Sequence, residues 1–398
     1  MKIKYIDRAI KDKLLKYTKM FSVICVTGPR QSGKTTLIKN TFPDYAFYSL
    51  DDIDLRAQAK NDPAFFINRL PEKVIIDEFQ YAPNILSYIK IKVDEKPHLK
   101  GKFILTGSQQ FLMIKGLTET LAGRIGIIDL YPLSVSELTK FKHFSKTRDI
   151  FEYSCLRGTY PELAVNRQLD HTEWYKNYLN IYIERDAKTL HNIGNLISFD
   201  NLIRILSYRP GQILNLSSLA NDLNVSVNTI KNWISVLQAS GIIYILHPYF
   251  TNVKKQLIKS PKIYFIDLGL VCVLNRILSN ENLYNNIILG HLFENFIVVE
   301  LLKHIKNSGL NYEIFFLRSS KGLEIDLIID TGKGFIPIEI KATENTYSNV
   351  NIELFDKLNK IFPDKKILTG HVICFKDSLF HLSQNIVSSG IYEFLKKL

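Results

Sequence analysis

Between Phe21 and about Leu133 the chain runs in short apolar bursts, "FSVICV", "YAFYSL", "KVIID", "KFILTG" and "GIIDLYPL", separated by segments long enough for helices. That alternation predicts a parallel α/β sheet. The stretch before it, "MKIKYIDRAIKDKLLKYTKMF", sets apolar residues at helical spacing among Lys and Asp and predicts a helix of the mature protein. It lacks the uninterrupted apolar core and small-residue cleavage site of a signal peptide. From 146 to 200, "RDIFEYSCLRGTYPEL" and "EWYKNYLNIYIERDAKTL" carry aromatic and aliphatic residues at a helical period, which predicts a helical lid or connector. "LSSLANDLNVSVNTIKNWISVLQASGII" then reads as helix, turn, helix, and a β-rich tail begins near Ser260.

Within the tail, "EIDLIIDTGKGFIPIEIKAT" predicts two strands around the turn "TGKG". Strand residues two apart share a face, so Glu324 and Asp326 lie together, as do Glu339 and Lys341, while Ile325, Leu327, Ile338 and Ile340 face away. Three carboxylates and an ammonium thus gather on one surface. Two readings are open, a metal site or a solvated sheet edge guarded by charge.

At 398 residues the chain exceeds one ordinary core, and two to four domains are expected at about 150 residues each. With 46% hydrophobic residues and no apolar run near the ~20 needed to span a bilayer, it reads as a soluble protein without a membrane segment. The four cysteines are scattered and form no CxxC, which argues against a zinc site or a disulfide framework and for the reducing cytoplasm. A net charge of +12 makes a polyanionic partner plausible. Residues 1 to 145 hold 23 Lys and Arg against 15 Asp and Glu, so much of the excess is N-terminal and fits a solvated lysine-rich surface equally well.

The first motif with chemistry is "GPRQSGKTT", placed between a predicted strand and a predicted helix. Gly28, Gly33, Lys34 and Thr35 satisfy GxxxxGK[ST]. In such a loop the backbone from Gly28 through Pro29, Arg30, Gln31, Ser32 and Gly33, continuing to Thr36, curls around phosphates. Lys34 neutralises the β and γ oxygens, and Thr35 reaches Mg2+. "KVIIDEFQ" supplies the partner strand: Asp77 to hold the hydrated Mg2+ and Glu78 to polarise the attacking water. ATP and Mg2+ are the expected cofactors. At the end of "KFILTGSQQ", Thr106 and Ser108 are either γ-phosphate sensors or strand-end turn formers.

The runs "GPRQSGKTTL", "IIDEFQYAPNIL", "FILTGSQQFLM" and "LAGRIGIIDLYPLSVSEL" together resemble a bacterial and archaeal family of AAA+-like P-loop ATPases with a poorly characterised C-terminal domain. That resemblance makes Arg124 an arginine finger or γ-phosphate sensor and Arg30 a family signature. A surface ion pair is the other reading of Arg124, since a finger supplied in trans requires a homo-oligomer. The helix-turn-helix resembles a winged helix, with Ser226 capping its second helix and "GIIYILHPYF" starting the wing. Asn228, Thr229, Lys231 and Asn232 would then meet DNA, or the module packs or binds a protein partner.

The tail, with "LGHLFENFIVVELLKHI" ahead of three strands, resembles the PD-(D/E)xK nuclease fold. The resemblance assigns Asp326, Glu339 and Lys341 to its core signature and Glu294 to an additional helical acid. Asp326, Glu339 and the Ile340 carbonyl would hold Mg2+, and Lys341 would act on the water. Asp267 reads as a turn or domain-contact residue. The expected architecture is α/β: a P-loop NTPase sheet (1–140), a helical lid (141–199), a winged helix (200–258) and a restriction-endonuclease-like domain (259–398).

Overall fold

The computed structural model describes residues 5–107, 117, 120–183, 193–249, 260–318, 324–345 and 352–398. They form two compact units, Met1–Leu133 with Ala239–Ile242, and Ser134–Gln238 with Ile243–Leu398. Among the described residues no helix is long and apolar enough to cross a membrane.

The first unit is built on strands β1 (Val23–Thr27), β2 (Ala46–Ser49), β3 (Val74–Asp77), β4 (Phe103–Gly107) and β5 (Ile125–Asp129). They pair in the order β2-β3-β4-β1-β5, all parallel, as the apolar runs predict. Alternate residues of one strand enter different cores. Val23 and Cys25 join Ile76 and Leu105 against Phe66, Ile85 and Ile89, whereas Ile24 and Val26 join Ile75 and Ile104 against Leu14, Leu37 and Ile38. Burial on both faces of β1, β3 and β4 is why those strands read as continuous apolar bursts. The order places β1 between β4 and β5, so the loop after β1 emerges at the strands' C-terminal ends, where phosphates bind in open α/β sheets.

The N-terminal helix is shorter than its pattern suggests: it spans Lys11–Met20, and residues 5–10 ahead of it form no helix. In that segment Arg8, 6% exposed, is spent on backbone carbonyls of other loops.

The second unit begins with the helix Val135–Lys142, and the helices Thr147–Leu156 and His171–Ile181 follow in the span read as a connector. Helices Leu196–Ser207, Leu216–Leu223 and Val227–Ala239 follow. The turn between the last two passes through Asn224 in the left-handed region, and Ser226 Oγ accepts the Thr229 N–H at 3.0 Å, the expected cap. Asn228, Lys231 and Asn232 are exposed and Thr229 partly so. Strand β6 (Ile243–Leu246) pairs antiparallel with β7 (Lys262–Phe265), and Ile213 bridges to Lys262 on the other side of β7.

The tail forms a six-stranded mixed sheet from β8 (Glu313–Arg318), β9 (Glu324–Asp330), β10 (Phe335–Ile340), β11 (Gly370–Ile373), β12 (Phe380–Ser383) and β13 (Ile386–Ser389), in the order β12-β13-β11-β10-β9-β8. β8, β9 and β10 are antiparallel neighbours, and β10 pairs parallel with β11. The helix Leu289–Ser308 packs on β10 and β7. Leu358 and Phe362, at the end of the Ile352–Ile361 helix and just past it, cover Leu317, Ile325, Ile328 and Phe335. The solvated-edge reading of the hairpin is therefore corrected: β9 and β10 have neighbours on both sides, and Glu339 is only 7% exposed.

Candidate functional site

In the first unit, the loop between β1 and the helix Lys34–Thr41 has the curvature its glycines permit. Gly28 (φ 146°) lies so close to the strand-end segment that a Cβ would sit 2.1 Å from the Leu130 carbonyl oxygen. Gly33 (φ 93°) turns the chain into the helix. Lys34 folds back inside this curve and donates to the carbonyls of Gly28 at 3.0 Å and Pro29 at 2.9 Å. Ser32 is fully buried with its Oγ unpartnered, Pro29 is buried, Arg30 half-buried, and Gln31 and Thr36 exposed. A buried hydroxyl without a partner inside a loop of inward-facing backbone is the signature of a site shaped for an anion.

Thr35 and Asp77, the two residues expected at Mg2+, lie together, with Thr35 Oγ1 3.1 Å from both carboxylate oxygens. Thr106, at the end of β4, donates its hydroxyl to Asp77 Oδ1 and is fully buried, so it fixes the carboxylate and forms no surface turn. Ser108 lies outside the described residues. Glu78 directly follows β3 in a left-handed conformation (φ 53°), and Gln31 in the loop is left-handed too (φ 60°). Non-glycine residues held there cost of order 1 kcal/mol or more and gather at functional sites. Burial pushes the Glu78 carboxyl above its ordinary range, while Lys34, Gln80 and Arg30 pull it back. Gln80 Nε2 donates to Glu78 Oε2 and fixes its orientation.

Arg124 takes the ion-pair role. Its guanidinium grips both oxygens of Asp94, the Nη2 contact at 3.0 Å, on an exposed surface.

Sequence reasoning missed Arg8. Its Nη1 donates to Ser32 O at 2.7 Å and its Nη2 to Tyr131 O at 2.6 Å, joining the phosphate-type loop to the segment after β5. A lone arginine in a lysine-rich stretch carries no sequence signal of this. Arg8→Ala removes two charge-assisted hydrogen bonds, at roughly 1.5–3 kcal/mol each, so the melting temperature falls by several degrees and nucleotide affinity drops. Thermal unfolding with and without nucleotide measures both effects.

In the second unit the tail residues converge. Asp326 Oδ2 accepts the Ile340 N–H at 2.8 Å across the β9–β10 pair, and Lys341 Nζ lies 3.1 Å from Glu339 Oε2. Glu339 Oε1 is buried without a partner. Burial, then Glu294, pushes Asp326 up to about 6. Burial, then Asp326, pushes Glu339 up to about 7. Lys341 stays above its ordinary value because Asp326 and Glu339 outweigh its burial.

Glu294 reaches the same region but is already held. Its Oε1 accepts from Lys262 Nζ at 3.0 Å and from the Tyr264 hydroxyl at 2.7 Å. Lys262 and Tyr264 were also missed, although their alternation with Ile263 and Phe265 in "KIYF" was a signal. Asp267 is buried, caps the Leu268–Leu274 helix and accepts from the Thr159 N–H at 2.7 Å, a turn-and-contact role.

Among the described residues no group of three or more His, Cys, Asp or Glu side chains converges to hold a metal ion. Asp326 and Glu339 remain, two hard-oxygen donors, one with an unpartnered buried oxygen. That set fits Mg2+, which binds through one or two carboxylates and keeps several waters.

A raised carboxyl pKa in the fold means stability fully present below the unfolded value and lost as pH rises through the folded one. The chelator-treated protein should therefore lose thermal stability from about pH 4 to 7, between the ordinary values of Asp326 and Glu339 and their raised ones of about 6 and about 7. Glu339→Gln should flatten that slope, as melting curves across pH would show.

Residues 20–139 match the family model described as an AAA domain. Residues 148–281 and 289–393 match two further models, each described as a domain of unknown function. An uncharacterised protein of Mycobacterium tuberculosis is 28% identical over 328 residues, covering 81% of this chain and 70% of the relative. One of Methanocaldococcus jannaschii is 23% identical over 392 residues, covering 88% and 84%. Of solved structures, the Walker-type ATPase of Pyrococcus abyssi has a TM-score of 0.46 at 16% identity, over 68% of this chain and 96% of that one. The RuvB Holliday junction branch migration motor of Thermotoga maritima has a TM-score of 0.32 at 18% identity, over 60% and 89%. With its motif and sheet, the N-terminal region is an AAA-like P-loop nucleotide-binding domain.

Proposed function

We propose that this chain is a cytoplasmic ATP hydrolase that acts on DNA through a winged-helix module and a PD-(D/E)xK nuclease-like tail. Hydrolysis rests on Glu78. A carboxylate just past Asp77, half-withdrawn from water and oriented by Gln80, can draw a proton from a water aligned on the γ-phosphate. Lys34, held by the Gly28 and Pro29 carbonyls inside the loop, is placed to exchange them for phosphate oxygens. Thr35 and Asp77 would hold Mg2+, which would supply positive charge against the phosphates.

One observation carries the DNA reading: Asp326, Glu339 and Lys341 meet on adjacent central strands with Glu339 Oε1 buried and unpartnered. Mg2+ on Asp326 and Glu339 would supply a Lewis acid for a scissile phosphate. Lys341 is placed to orient the attacking water, and the exposed Asn228, Lys231 and Asn232 to engage the duplex.

A second reading is an ATP-driven switch that binds a protein partner, its tail a non-cutting module. The engagement of Glu294 by Lys262 and Tyr264 favours it, because that acid is withdrawn from any metal. Binding to duplex and branched DNA across ionic strength separates the two. A steep fall in affinity with salt supports action on DNA, and no affinity at low salt supports the switch. Arg124 would serve as a finger only in a homo-oligomer in which it leaves Asp94.

A further inference from the structure

We infer that Lys262 is a built-in cation of the tail site, so that the site takes one divalent cation, on Asp326 and Glu339, with Glu294 serving as the counter-ion of Lys262 and not as a metal ligand. The inference rests on the metal reading above and deepens it.

Lys262 is 3% exposed and sits on β7, outside the six-stranded sheet. Its ammonium lies between Glu294 Oε1 at 3.0 Å and Glu324 Oε1 at 3.2 Å, with its nitrogen 5.3 Å from the Phe316 ring centre. The Tyr264 hydroxyl occupies the same Glu294 oxygen, and the Glu294 carboxyl lies over Gly211, where a Cβ would approach it to 3.3 Å. One oxygen of that carboxylate thus takes two hydrogen bonds, from Lys262 and Tyr264. Arg318 Nε holds the other side of Glu324 at 3.4 Å. A lysine this deep stays charged only when paired, and here two carboxylates pair it.

Charge balance reaches the same answer. Four carboxylates (Glu294, Glu324, Asp326, Glu339) face three fixed cations (Lys262, Arg318, Lys341). One divalent cation leaves the cluster with a single positive charge, which one phosphodiester neutralises. A second would add two more charges beside a buried ammonium that already draws on Glu294 and Glu324. Lys262 thus holds the place that a second cation would need and positions Glu294 without touching substrate.

The test is Mn2+ binding to the full-length, nucleotide-free protein, by calorimetry or by electron paramagnetic resonance of free Mn2+. Wild type should bind one Mn2+ that Asp326→Ala removes. Glu294→Gln keeps the Tyr264 contact and should leave the Mn2+ Kd within about twofold, whereas a direct ligand would cost about tenfold or more. Lys262→Met should admit a second Mn2+, and Lys262→Arg should restore a stoichiometry of one. A tenfold weaker Mn2+ in Glu294→Gln, or two Asp326-dependent ions in wild type, overturns the inference. If wild type and Asp326→Ala bind Mn2+ alike, the metal reading itself fails and takes the inference with it.

Discussion

Lys34→Ala should abolish ATP binding, and Glu78→Gln should bind ATP almost as wild type does while hydrolysing it about 100-fold more slowly or worse. The two residues touch different stages. Lys34 is the buried ammonium of the loop, already inside the curve made by Gly28 and Pro29, and its donors are what the phosphate oxygens would take over. Charge-assisted hydrogen bonds contribute roughly 1.5–3 kcal/mol each, so losing two or three of them weakens affinity by more than about 100-fold. Glu78 makes no such contact, being placed past the end of β3 with its charge aimed by Gln80. Glutamine keeps its shape and removes only its basicity. Fluorescent-nucleotide titration and phosphate release distinguish the two effects. Wild-type turnover in Glu78→Gln would mean that another group polarises the water.

The parts of this nucleotide site that the sequence shows plainly are those whose chemistry is local. GxxxxGKT lies in one loop, and "VIIDE" joins a strand to its acid, so spacing alone places Gly28, Lys34, Thr35 and Asp77. Thr106 and Arg8 are different, because their roles exist only where a separate strand or loop arrives. Thr106 reaches Asp77 because β4 pairs with β3, and Arg8 reaches Ser32 from a segment 24 positions away. The tail repeats the lesson. Period-two alternation put Glu324 with Asp326 and Glu339 with Lys341, but it could not say whether the hairpin was an edge. That answer comes from β8 and β11, which flank it. Nor could it reveal that Glu294 is neutralised by Lys262 from β7, since the two are 32 positions apart. The helical period of "LGHLFENFIVVELL" marks only which face is buried, while the partner of an acid on that face depends on the neighbouring element.

The second large effect is expected in the tail. Asp326→Ala and Lys341→Ala should each abolish Mg2+-dependent nicking of linear or branched DNA, while ATP hydrolysis by the first unit persists. Asp326 has two tasks, holding the Ile340 N–H that ties β9 to β10 and, on the metal reading, binding Mg2+. Asp326→Asn retains an oxygen for the Ile340 N–H and removes the charge, so it separates folding from metal binding. Lys341 has a simpler position. It is a half-exposed ammonium 3.1 Å from Glu339 Oε2, and Lys341→Met should leave Glu339 without its cation and its proton affinity raised further. Loss of nicking in both, with Asp326→Asn melting no lower than wild type, would assign cleavage to this face of β9 and β10. Nicking that survives in both sinks the nuclease reading and leaves the switch, because a metal-dependent cut cannot continue after both the ligand and the ammonium beside it are gone.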